Sequence, residues 1–109
     1  MRSLPPCPDR PNCVCSQAPG GDARHAIEPL HFTGEPAAAW AALREVLDGM
    51  ARVTIIEDTG SYLHAEARSL LFRFVDDVEC TLDSEARVIH VRSASRQGYG
   101  DMGVNRRRV

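Results

Sequence analysis

A chain of 109 residues with 13 basic and 15 acidic side chains supports one domain around one core, burying about 60–70% of the surface its unfolded form exposes. Every basic residue is arginine, which excludes Schiff-base chemistry and a P-loop, because both need the lysine amine. A hydrophobic content of 43% with 26% charged residues excludes global disorder, and no run approaches the ~18 apolar residues of a membrane span.

The charge is unevenly placed. Residues 1–91 hold eight arginines against 14 acids, whereas residues 92–109 hold five arginines and one aspartate. Nucleic-acid binding calls for a broader basic stripe with interleaved aromatics. A short arginine segment accompanied only by Tyr99 fits a local carboxylate or phosphate site better, since the guanidinium offers a planar fork of donors. The N-terminus lacks an apolar signal region, so the chain as given reads as cytoplasmic, while a chain beginning just after a removed anchor would read the same.

In chain order, residues 1–34 are rich in Pro, Gly, Cys and Asp and show no apolar period, which predicts an irregular segment. Pro5, Pro6, Pro8 and Pro11 interrupt a helix or central strand. Over 35–50 a long helix is expected, with Pro36 in its first turn and alanines at 37, 38, 39, 41 and 42. Ala39, Leu43, Val46 and Leu47, with Trp40 and Met50, form its apolar stripe, and Gly49 suits its end. Four strands follow within 52–95. Val53 to Glu57 turns through Asp58-Thr59-Gly60, with Gly60 left-handed, into Tyr62 to Ala67. Phe72 to Leu82 turns through residues 83–86 into Val88 to Ala94. Residues 96–109 read as a Gly/Arg loop and the first turn of a C-terminal helix.

Short connections make successive strands antiparallel neighbours. The expected fold is therefore a two-layer α+β domain spanning 1–109, with one helix on a four-stranded antiparallel meander. Matching apolar to apolar positions predicts a register pairing Asp77 with Arg92 and Glu79 with His90, and Glu66 with Arg73 and Tyr62 with Asp77. It gathers Tyr62, His64, Glu66, Arg73, Asp77, Glu79, His90 and Arg92 on one polar face. Asp76 intrudes on the apolar face, where burial opposite Ser93 is expected.

Three groups carry chemistry. Cys7 and Cys13 enclose two prolines and fit a disulfide, structural thiols, or metal ligands with His25, although C-x5-C-x-C is not a recognised zinc spacing. Cys15 reads as incidental and Cys80 as a core thiol. On the polar face, His64, Asp77 and His90 are candidate acid–base residues, against a solvated face whose charges pair across strands. In the arginine segment, Arg92, Ser93, Arg96, Tyr99, Asn105 and Arg106 are candidate anion ligands, with Asn105 able to cap a helix whose amides face the anion. The alternative is that these arginines pair with Asp76, Asp77 and Asp101.

Cys7-Pro8-Asp9-Arg10-Pro11-Asn12-Cys13-Val14, Ser16-Gln17, His25-Ala26-Ile27 and Pro29-Leu30 resemble the opening of the DUF1499 family. Tyr62-Leu63-His64-Ala65-Glu66, Phe72 to Glu79, and Arg92-Ser93-Ala94-Ser95-Arg96 through Gly98-Tyr99, Asp101, Gly103 and Asn105 to Arg108 resemble the rest of it. The resemblance covers nearly the whole chain. It implies a family without an established activity, whose relatives often lie outside the cytoplasm, including at membranes. The chain departs at Cys15, where the family usually shows serine, and at Val109, beyond which relatives continue a helix.

The preferred expectation is a small binding or accessory domain for an anionic small molecule, lipid headgroup or acidic protein. Neither cofactor nor nucleic acid is expected. The alternatives are an acid–base hydrolase on the polar face, or a thiol or metal module at Cys7 and Cys13.

Overall fold

The computed structural model describes residues 2–8, 12–68 and 75–96. The described chain orders as β1 (Cys13–Cys15), β2 (Leu30–His31), α1 (Pro36–Asp48), β3 (Val53–Asp58), β4 (Tyr62–Arg68), β5 (Val75–Asp83) and β6 (Val88–Ser95). One antiparallel sheet runs β1-β6-β5-β4-β3, with β2 also on β6.

Strands β4, β5 and β6 follow their alternation and β3 carries a bulge between Ile55 and Glu57, but among the described residues the sheet has six strands and not four. The N-terminal segment is not wholly irregular: β1 pairs with residues 92–94 and β2 with residues 88–89. Both lie along the edge of β6 that a four-stranded meander would leave open. An open edge presents unpaired amides and carbonyls, and short strands satisfy them. Strands of three and two residues are too brief for a period to reveal them.

The helix is shorter than the expected span, 13 residues from Pro36 to Asp48. Trp40 is buried, and Leu43 and Leu47 pack on the core, whereas Val46 and Met50 stay exposed. Gly49 is right-handed, and Arg52, at φ 63°, makes the left-handed turn into β3. Trp40 Nε1 donates to Asp58 Oδ1 at 2.8 Å, and Arg44 Nη1 to Asp58 Oδ2 at 2.8 Å. This carboxylate locks the helix to β3. Gly60 is left-handed at φ 92°, and its N–H donates to Asp58 Oδ1 at 2.8 Å.

The core lies between helix and sheet, around Trp40, Leu63, Ala65, Cys80 and Ile89. Register differs from the expectation by two residues in one hairpin and four in the other. Glu79 faces Arg92 and Asp77 faces Ala94; Glu66 faces Asp77 and Tyr62 faces Thr81. Even shifts keep every residue on its expected face, so the burial pattern is blind to them. The β5–β6 shift follows from a turn over residues 84–87 with Arg87 left-handed at φ 57°, so that Asp83 pairs with Val88. Asp76 is half-buried, opposite Ser95 and not Ser93. Arg73 lies outside the described residues.

Candidate functional site

The sheet face turned away from the helix carries the polar residues in rows across the strands. Tyr62, Thr81 and His90 form one row; His64, Glu79, Arg92 and Cys15 the next; Glu66, Asp77, Ala94 and Cys13 the third. The face is not wholly solvated. The N-terminal segment crosses the first two rows, where Leu4, Cys15 and Tyr62 form a second buried cluster with Cys7 against it. Arg2 stacks on the Tyr62 ring at 3.6 Å.

Under that cover, Tyr62 Oη donates to Glu79 Oε2 at 2.6 Å and Arg92 Nη1 to Glu79 Oε1 at 3.1 Å. Burial, reinforced by Glu79, pushes the Tyr62 hydroxyl pKa up to about 12. Arg92 Nη2 donates to the Pro6 carbonyl at 3.5 Å, while its buried Nε lacks a partner among the described residues.

The third row is half-buried and strongly charged, with the exposed Arg68 and Arg96 at its end. His64 Nε2 meets Asp77 Oδ1 at 2.8 Å. Arg96, just past β6, grips Asp77 with a fork, Nε to Oδ2 at 2.8 Å and Nη2 to Oδ1 at 2.9 Å. The same Nη2 donates to Glu66 Oε2, and Arg68 Nη2 reaches Glu66 Oε1 at 3.0 Å. Glu66 therefore bridges two arginines. Arg96 holds the Asp77 carboxyl below the usual carboxylate range, with His64 adding to the effect and burial opposing it. The two carboxylates in turn raise the Arg96 pKa.

The structure thus joins His64 to Asp77 but leaves His90 apart, bonded through Nδ1 to Ser16 Oγ at 3.0 Å. Arg92 and Arg96 share the polar side. Ser93 sits on the opposite, helix-facing side, paired with Val78 and Val14. Tyr99, Asn105 and Arg106, like Asp101, lie outside the described residues. Arg96 takes Asp77 as its partner, as the pairing alternative held, whereas Arg92 takes Glu79.

Cys7 and Cys13 are joined in a disulfide, Cα to Cα 5.7 Å, which leaves neither as a metal-binding thiolate. His25 is buried and held by Asp22, Nδ1 to Oδ2 at 2.7 Å. Among the described residues no group of three or more His, Cys, Asp or Glu converges as a metal ion requires.

Sequence reasoning missed Arg68 and Ser16. Arg68 continues the outward alternation of β4, so extending that strand by one residue finds it. Ser16 gives no local signal, because its partners His90 and Val91 are over 70 residues away.

Chemically, the His64–Asp77 pair, which spans the second and third rows, can hold a proton, and Arg68 and Arg96 present guanidinium donors beside it. Cys15 and Cys13 share this face but lie three strand steps from His64, about 14 Å at sheet spacing. On the helix side, Leu30, Phe32, Leu43, Val46 and Ile89 line an apolar groove of about 340 Å³. Among the described residues no helix is long and apolar enough to cross a membrane.

The sequence model of one family, described as a protein of unknown function, DUF1499, matches residues 3–109. No curated protein and no solved structure matches the chain.

Proposed function

The chain belongs to the DUF1499 family over essentially its whole length, and from that premise, which supplies no activity, we propose that it is a binding domain for an anionic group. The ligand class is a phosphate or carboxylate, carried by a small molecule, a lipid headgroup or an acidic protein segment. It is taken at the Arg68–Arg96 end of the polar face, from which the sequence runs on into Tyr99, Asn105 and Arg106.

The observation that carries this reading is the Glu66 bridge. It holds two guanidinium groups side by side, with the Arg68 side chain 54% and the Arg96 side chain 45% exposed. Arg96 commits Nε and Nη2 to carboxylates and Arg68 commits Nη2. Arg96 Nη1 and Arg68 Nε and Nη1 make no hydrogen bond to a described residue. Donors already oriented lose little freedom when an oxyanion arrives. Ser93, on the other face, is not part of this site.

Thermal unfolding with inorganic phosphate or pyrophosphate, against chloride at equal ionic strength, tests the reading. A ligand at about 100 times its Kd stabilises by about 2.7 kcal/mol. The melting temperature should rise, and Arg68→Ala should remove most of the rise while barely moving the ligand-free value. Flotation with phosphatidylcholine vesicles, with and without phosphatidic acid, separates a lipid headgroup from a free anion. If neither anions nor acidic vesicles act on the wild type, the reading fails.

A second reading, acid–base catalysis, has the 2.8 Å His64–Asp77 bond in its favour. It is weaker because Arg96 occupies both oxygens of Asp77, and the residues paired with His64 across the sheet are Glu57 and Glu79, not a serine or cysteine.

A further inference from the structure

The N-terminal cysteines hold chemistry that the anion-binding reading does not use. Cys7 and Cys13 form the disulfide, and Cys15 remains a buried thiol. Positions i and i+2 of a strand share a face about 6.8 Å apart. Cys13 and Cys15 therefore stand side by side on the polar face, each 2% exposed. Cys7 comes in from the N-terminal segment and packs on the cluster that contains Cys15, Leu4 and Tyr62. Cys7 and Cys15 also line one cavity of about 200 Å³, with Pro6 and Gln17. The Gln17 backbone N–H donates to Cys15 Sγ at 3.4 Å, which orients that sulfur.

Cys13 is thus bonded to Cys7, and Cys15 lies in the cluster that Cys7 packs against. Cys13 and Cys15 are poor partners for each other, because strand spacing of about 6.8 Å exceeds the 3.5–4.5 Å between Cβ atoms that a disulfide needs.

We propose that Cys7, Cys13 and Cys15 form an internal thiol–disulfide exchange site. The Cys15 thiol gives up its proton and its sulfur attacks Cys7 Sγ. The Cys7–Cys15 bond forms as the Cys7–Cys13 bond breaks, and Cys13 leaves as a thiolate that takes up a proton. One disulfide and one thiol exist before and after, so neither oxidant nor reductant enters. The exchange also reaches the polar face, because Pro6, next to Cys7, accepts a hydrogen bond from Arg92 Nη2. Cys80 stands apart, in the core on the helix side.

Acid-quenched thiol trapping tests this on the intact, oxidised chain. After incubation at pH 8, protein is acidified, unfolded and alkylated with N-ethylmaleimide. Cleavage before Asp9 then separates Cys7 from the other two after reduction and a second label, and fragmentation at Val14 tells Cys13 from Cys15. The expected result is a loss of first label at Cys15 matched by a gain at Cys13, with Cys7 never labelled first. If Cys13 stays unlabelled at every incubation time, the proposal is overturned. Cys13→Ser supplies a second arm: with oxidised glutathione it should close a Cys7–Cys15 disulfide, and finding both as free or glutathionylated thiols refutes the exchange. If that variant does not fold, the wild-type labelling alone decides.

Discussion

Glu66 and Asp77 stand directly opposite each other on β4 and β5, two carboxylates in a cross-strand position that normally destabilises a sheet. Arg96 resolves the conflict by bonding to both, so this end of the polar face is an arginine-dependent arrangement and not a row of independent pairs.

Removing Arg96 should therefore do more than delete a surface ion pair. Arg96→Ala is expected to lower the melting temperature more than Arg68→Ala does, because two facing carboxylates are left without their shared cation. Adding Glu66→Gln to Arg96→Ala should restore part of the loss. Additive losses in that double-mutant cycle would mean that Arg96 and Glu66 are not coupled, and that Arg96 does not act by relieving Glu66.

Asp58 joins the Trp40 indole to the Arg44 guanidinium. Its carboxyl is held below the usual range, first by the Trp40 hydrogen bond and then by the Gly60 amide and Arg44, against burial. Asp58→Ala should cost about 1.5–3 kcal/mol near pH 7, the scale of hydrogen bonds to a charged group. A depressed carboxylate contributes in full above its unfolded pKa of about 3.9 and loses that contribution as pH falls through its lower folded value. Urea denaturation at pH 7 and in strong acid should therefore show wild type and variant converging in acid.

Tyr62 offers a spectroscopic check on the cover formed by the N-terminal segment. Its phenol, ordinarily near 10, is pushed up to about 12 by burial and by Glu79. Ultraviolet titration should show a late-ionising tyrosine that Tyr62→Phe removes. The folded state keeps the proton longer than the unfolded chain does, so this group favours folding less as pH rises from about 10 toward 12. A single ordinary transition in the folded wild type would mean that the phenol is open to solvent.

Cys80 provides a core probe. Burial pushes its thiol up to about 12, so Ellman's reagent near pH 8 should modify it only after unfolding. Cys80→Ser leaves a hydroxyl among Leu63, Ala65 and Ile89 and should cost about 1–3 kcal/mol, read from urea denaturation. Rapid modification of native Cys80 would contradict its place in the core.

The sequence by itself determined the helix–strand order from Pro36 to Ser95, the two faces of β4, β5 and β6, and the family, because apolar periods and turn residues act over a few neighbours. Leu63, Ala65 and Cys80 could face only the core, and Gly60 suits its left-handed turn. The gathering of His64, Glu66, Asp77, Glu79 and Arg92 on one polar face was legible for the same reason.

Only the tertiary structure decided which of these residues touch. Alternation has period two, so a register moved by two or four residues satisfies it equally; the turn at Arg87 selected Glu79 for Arg92. The short strands β1 and β2 carry too few residues for any pattern, and what fixes them is the open edge of β6, more than 50 residues away in the chain. That pairing brings the N-terminal segment over Tyr62 and Cys7 against the Cys15 cluster. Local sequence sets which side of the sheet a residue occupies, while long-range backbone pairing sets its partner, and it is the partners that define the site.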